Sequence, residues 1–287
     1  MRAVPEEQEN TMSVERILVG LDASQASWTA LRWTAKRAAE SPARVRIVHA
    51  LEAADTEVLV VRERLAEAAA FVRGTAPGTV VETSVARGFA ADALVDDTAD
   101  ADLLVIGAHR SRRVRSALTG SLPERIATRA PVPTVVVPDD WTPGSGPVVV
   151  GIDADTAEAA VAFGLREARR TGRSLRVVHA WRVTAPVAAR PVALLEDASS
   201  TDEQSARLVL GEAEREAARR EPAVSVRSTL WEGDAGEALA AAGVEATLVV
   251  VGRRHRTTIG GELFGSVARE MMHRSATPVV VVPVSAD

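Results

Sequence analysis

Two stretches of the chain carry the residue types that could hold an anion. One runs Gly107, two residues, Arg110, nine residues, then Gly120-Ser121; the other runs Gly252, two residues, His255, nine residues, then Gly265-Ser266. In each, the Gly-Ser pair precedes a segment of helical character, SLPERIATRA or SVAREMMHRS. Glycine lets backbone approach a ligand closely, and the free N–H groups and dipole at a helix start favour a phosphate chain. Arg110, Arg112, Arg113 and Arg115, and in the second stretch Arg253, Arg254 and Arg256, put cations where phosphates would lie. The plainer reading is a solvated basic loop. Ser121 and Ser266 carry the same pair of readings, a hydroxyl on a terminal phosphate or a cap on its own helix.

Asp22 and Asp153 each follow a short apolar run and stand where an aspartate caps the next helix. His49 and His179 occupy matching positions and read as packed, hydrogen-bonded strand ends, while His109, His255 and His273 are isolated and are assigned no chemistry. There is no Cys, which removes disulfides, thiolate nucleophiles and sulfur-based zinc sites, and no carboxylate or His cluster points to a protein metal site.

These groups are positioned by a repeat. ILVGLDAS (17–24) is echoed by VVVGIDAD (148–155), VRIVHA ending at Ala50 by LRVVHA ending at Ala180, ADLLVIGAHR by ATLVVVGRRH, and PTVVVP by PVVVVP. Asp22 and Asp153 lie 131 residues apart, whereas Gly107–Gly252 and Gly120–Gly265 are both separated by 145, so the second copy gains residues between its second and third strands. Apolar runs near 16–21, 45–50, 80–86, 102–107 and 133–138 alternate with segments of helical spacing, in which Trp28, Leu31 and Ala35, then Val61, Leu65 and Ala68, and in the second copy Val161, Leu165 and Ala168 share a face. That alternation predicts an α/β fold of two tandem, doubly wound, Rossmann-like domains, each with a five-stranded parallel sheet. The expected boundaries are a disordered leader over 1–14, with Met12 an alternative start, a first domain over 15–140, a linker over 141–147 and a second domain over 148–287. Ligands of such sheets bind beyond the carboxyl ends of the strands, where strand order reverses, which is where the two Gly-Ser stretches fall.

The Gly-Ser stretches, the VGLDAS opening, the VHA strand end, Gly88 or Gly233 before the third helix and the closing VVVP together resemble the universal stress protein family in its tandem form, over residues 15–284. The resemblance implies an adenine nucleotide alpha hydrolase-like fold and ATP binding, with a magnesium ion held largely by phosphates and water. It places Asp22 and Asp153 beside the nucleoside, the backbone near Ala50 and Ala180 at the adenine, and Gly107, Gly120, Ser121, Gly252, Gly265 and Ser266 around the phosphates. The family's second glycine is Arg110 in one copy and His255 in the other, where a positive φ would cost a residue with a Cβ about 1 kcal/mol or more. The sequence favours the first copy, because Asp155 adds a carboxylate to the second.

Composition narrows the classes further. With 287 residues, 46% hydrophobic and 25% charged, the chain has globular usage, and a net charge of -5 argues against a general nucleic-acid binder. No apolar run is long enough for a membrane span, so a cytoplasmic protein is expected. No Walker lysine, Gly-x-Ser-x-Gly elbow, dinucleotide fingerprint or phospho-receiver aspartate is present. Two readings stand. One is a stress-response regulator that binds ATP, hydrolyses it slowly or not at all, and signals through conformation or protein partners. The other is a nucleotide-free interaction module whose halves pair through PTVVVP and PVVVVP into a pseudo-dimer, with further homodimerisation optional.

Overall fold

The computed structural model describes residues 14–51, 58–109, 121–182, 192–253, 256–258, 261–263 and 265–283, with the backbone alone for 192–201, 256–258 and 261–263. Arg110, Gly120 and His255 therefore lie outside the described residues, as do the arginines at 112, 113, 115 and 254 and nearly all of the expected leader. The first repeat runs β1 (Glu15–Gly20), α1 (Gln25–Glu40), β2 (Ala43–Leu51), α2 (Val58–Thr75), β3 (Val80–Arg87), α3 (Ala90–Asp96), a 3-10 turn, β4 (Leu103–Ala108), α4 (Leu122–Arg129) and β5 (Thr134–Pro138). The second runs β6 (Val148–Ile152), α5 (Ala157–Thr171), β7 (Leu175–Trp181), α6 (Val192–Arg220), β8 (Val226–Glu232), α7 (Ala235–Gly243), β9 (Leu248–Arg253), the short ribbon β10 (Arg256–Thr258) and β11 (Gly261–Leu263), α8 (Ser266–Arg274) and β12 (Val279–Pro283). The residues gained by the second copy lengthen α6, which spans 29 residues against 18 in α2.

Within each half the five strands of the main sheet are parallel, the small β10–β11 ribbon is antiparallel, and the two halves join edge to edge. The sheet order is β3-β2-β1-β4-β5-β12-β9-β6-β7-β8, ten strands in one sheet, with β5 and β12 antiparallel. The apolar closing strands thus cover each other's edges, which removes two templates for aggregation. Strands buried on both faces explain the near-continuous Val/Ile/Leu runs. Alternate side chains feed two cores: Ile17, Val19, Val45 and Ile47 pack with α1 and α2 on one face, and Leu18, Leu104, Ile126 and Val136 with α3 and α4 on the other. The second half repeats this with Val148, Val150 and Leu165 on the first face and Val149, Leu239 and Met271 on the second.

Helix starts and stops follow local chemistry. Ser24 caps α1, its hydroxyl accepting from Ser27 N–H at 3.2 Å, and Gly172 ends α5 in the left-handed region at φ 63°. Between the halves, Trp141 packs on the core and Gly146 sits so close to the 245–246 turn that a Cβ there would stand 1.8 Å from the Glu245 carbonyl oxygen. The segment expected to be a linker is thus held against the second half, with Thr247 N–H donating to the Pro147 carbonyl at 3.0 Å.

Candidate functional site

In each half the strand order reverses between the first and fourth strands, β1 and β4 or β6 and β9, and in the second half a crevice opens beyond those strand ends. It is an open cleft of about 660 Å³. Its floor is apolar, with Val178, Leu239 and Val251; Asp153, Ala180, Gly252, Gly265 and Ser266 line it together. Five of the six second-copy positions expected from the sequence thus meet in one place. In the first half, Asp22, Ala50, Gly107 and Ser121 stand at the corresponding strand and helix ends.

The start of α8 faces this cleft. Gly265 is the N-cap residue and makes no side-chain cap, and Ser266 is the first helical residue, not the cap. The first N–H groups of α8 therefore present a positive helix end toward the cleft that no side chain of Gly265 can satisfy. The first half differs by one residue, since Ser121 itself is the N-cap of α4, accepting from Glu124 N–H at 3.5 Å. Of the two readings for the serines, capping holds at Ser121 and does not hold at Ser266.

Both aspartates hold their own loops. Asp22 Oδ1 accepts from Ser24 N–H at 2.7 Å. Partial burial raises the Asp22 pKa, but hydrogen bonds from Ser24 and Ser27, aided by the nearby His109, outweigh it and leave the carboxyl below its usual range. Asp153 Oδ1 accepts from Asp155 N–H at 3.0 Å and from both the N–H and the hydroxyl of Thr156 at 2.9 Å. Asp153 is thus anchored at the cleft edge.

The strand-end glycines are there for packing. A Cβ on Gly107 would stand 2.2 Å from the Ala26 carbonyl carbon, and one on Gly252 would stand 2.2 Å from Thr156 Cβ, so each lets β4 or β9 press against the start of α1 or α5. Gly88 and Gly233 adopt φ of 125° and 129°, conformations only glycine takes readily, and Gly233 also lines the cleft. The two histidines diverge: His179 Nδ1 lies 2.9 Å from the Ile152 carbonyl and so carries the proton, whereas no hydrogen bond reaches the buried His49 Nδ1 among the described residues.

Arg253 overturns its expected role. It is buried, and its guanidinium donates to the carbonyls of Ala127 (3.3 Å) and Ala130 (2.7 Å) at the end of α4, across the boundary between the halves. A cation there completes the negative end of a helix; it is not placed for a phosphate. His109 and His273, assigned no chemistry, also find acids: His109 Nδ1 is 3.0 Å from Asp139 Oδ2, and His273 contacts Glu124. Sequence reading missed Asp202 and Ser205, which reach the cleft from α6. Their only signal was the extra length before the third strand of the second copy.

The family model described as "Universal stress protein family" matches residues 13–138 and again 145–283. The chain belongs to the universal stress protein family. A universal stress protein of Mycobacterium tuberculosis is 30% identical over 92% of this chain and 95% of its own length. A universal stress protein from Archaeoglobus fulgidus superimposes with a TM-score of 0.67 over 93% of this chain and 98% of its own, at 16% identity, and so shares the fold. A universal stress protein solved in complex with cAMP is 28% identical, with 44% of this chain and 98% of that one covered and a TM-score of 0.39. The tandem architecture read from the repeat is that of this family, each half carrying one family domain. Among the described residues no helix is long and apolar enough to cross a membrane.

Proposed function

We propose that this universal stress protein is a stress-response regulator of the cytoplasm that binds an adenine nucleotide, ATP by preference, in the second-half cleft. The observation that carries the reading is the start of α8, uncapped by Gly265 and opening onto an apolar-floored cleft at the strand-order reversal. The apolar floor suits a purine face, the first N–H groups of α8 suit phosphate oxygens, and anchored Asp153 stands at the edge for a ribose hydroxyl. Magnesium bound with ATP would be held largely by phosphate oxygens and water. The residues of the cleft bind and orient; slow hydrolysis or none is expected, and the output is a nucleotide-stabilised conformation that protein partners read.

Isothermal titration of nucleotide-stripped protein with ATP, ADP and AMP, each with and without magnesium, tests this. Micromolar binding that Gly265→Val abolishes is the expected result. Absence of heat with all three, together with no nucleotide released from freshly purified, denatured protein, would sink the proposal and leave a pseudo-dimeric interaction module.

A further inference from the structure

Two copies of one repeat joined edge to edge are related by an approximate twofold axis, and a residue on that axis meets its own counterpart. The register of β5 and β12 locates it. Val135 lies opposite Val280, with Val136 opposite Val279 and Thr134 opposite Val281. Val135 and Val280 are 145 residues apart, the spacing of Gly107 and Gly252, so they are counterparts and the axis passes between them.

On one face of the sheet α1 and α5 flank the axis. Their buried positions correspond at a spacing of 130: Leu31 with Val161, Trp33 with Phe163, Ala35 with Leu165. At that spacing Arg37 is the counterpart of Glu167, and Glu40 of Arg170. Both couples are bonded. Arg37 grips Glu167 with two hydrogen bonds of 2.7 and 2.6 Å, both side chains about 4% exposed, and Arg170 reaches Glu40 at 2.9 Å. On the other face, Glu124 of α4 and Arg269 of α8 are counterparts at the spacing of 145, and Arg269 Nε lies 3.3 Å from Glu124 Oε2. Three positions beside the axis, on both faces, thus hold opposite charges in the two repeats.

We propose that these opposed couples select the partner: the joining surface of the first half accepts a second-half surface and rejects another first half, so the chain closes on itself and like halves do not pair. Were two first halves to meet in the same way, buried Arg37 would face a second Arg37 and Glu124 a second Glu124. Two second halves would set Glu167 against Glu167 and Arg269 against Arg269. Like charges are expensive where they are buried, as Arg37, Glu167 and Glu124 are, and reject wrong partners more strongly than they reward right ones; the half-exposed Arg269 adds less. A diagonal rearrangement, Arg37 to the other copy's Glu40, would lose the two-bond grip and still leave the Glu124 carboxylates opposed.

The test is a full-length chain with a protease site inserted between the exposed residues Thr142 and Pro143, cut, denatured, refolded and weighed by native mass spectrometry. The unaltered sequence is expected to give unlike pairs alone. Neutralising all three couples (Arg37→Met with Glu167→Met, Glu40→Gln with Arg170→Gln, Glu124→Gln with Arg269→Gln) is expected to let like pairs appear beside unlike ones, because apolar or neutral replacements keep the interface packed while erasing its sign. Like pairs from the unaltered sequence, or strict unlike pairing after neutralisation, would overturn the proposal. Should the cut halves fail to refold, the uncut chain decides. Arg37→Met and Glu167→Met should each lower the urea midpoint and the double variant recover at least half of the loss; additive losses would overturn it.

Discussion

At the scale of single residues, the two halves make different use of the same letters. Ser121 caps α4 through its hydroxyl, whereas Ser266 sits one position inside α8 with Gly265 as cap. Ser121→Ala should therefore cost about 1 kcal/mol of stability. Ser266→Ala should leave the urea midpoint nearly unchanged and show its effect in nucleotide affinity. Equal stability losses at both positions would mean that Ser266 also caps, and its assignment to the ligand would fall. The glycines show where sequence reading stops. Gly107 and Gly252 were legible as special positions but not as packing residues, because the Ala26 backbone and Thr156 side chain that press on them come from another element. Gly252→Ala should cost about 1–3 kcal/mol through overpacking against Thr156, measured by denaturant unfolding. A change of a few tenths would show that the loop yields at little cost.

At the scale of elements, strands and helices were largely legible. Runs buried on both faces have little choice but to be parallel strands, and Val61, Leu65 and Ala68, predicted to share a face, are all buried in α2. Arg253 was not legible, since a cation after a strand-end glycine looks like a phosphate ligand until the end of α4 is found beside it. Its carbonyl partners are four and seven residues before Thr134, where β5 begins, so Arg253 ties the end of β9 to the helix that leads into the joining strand. Arg253→Met should cost about 1–3 kcal/mol by leaving those carbonyls without a donor. Arg253→Lys should recover part of the loss, because an ammonium can still donate at a helix end. If Arg253→Met instead leaves stability intact and weakens only nucleotide binding, the guanidinium serves the cleft after all.

At the scale of the whole molecule, the pairing of PTVVVP with PVVVVP could be expected from the family resemblance and from two closing strands too apolar to leave uncovered, but the charges beside the axis could not, because nothing in the sequence says which turns of α1 and α5 meet. Those charges give the assembly a defined response to acid. Burial pushes the Glu167 carboxyl upward, but Arg37 and then Arg170 outweigh it and hold the pKa below the ordinary glutamate value of 4.5. Glu40 behaves alike, with burial opposed and exceeded by Lys36 and Arg170. A carboxyl with a lowered folded pKa binds fewer protons folded than unfolded. Its stabilisation is complete above about pH 4.5 and drains away as pH falls through the folded value. Stability carried by these couples should therefore be flat between pH 7 and 5 and decline below. Glu167→Gln should lower stability at pH 7 by the lower end of about 3–5 kcal/mol, since Glu15 still pairs with Arg37, and should flatten the acid limb. Urea unfolding of both proteins from pH 7 to 3 gives the comparison. Parallel curves would show that the buried pair contributes nothing that titrates, leaving the junction to the apolar β5–β12 seam and to other ties such as Arg253 with the end of α4.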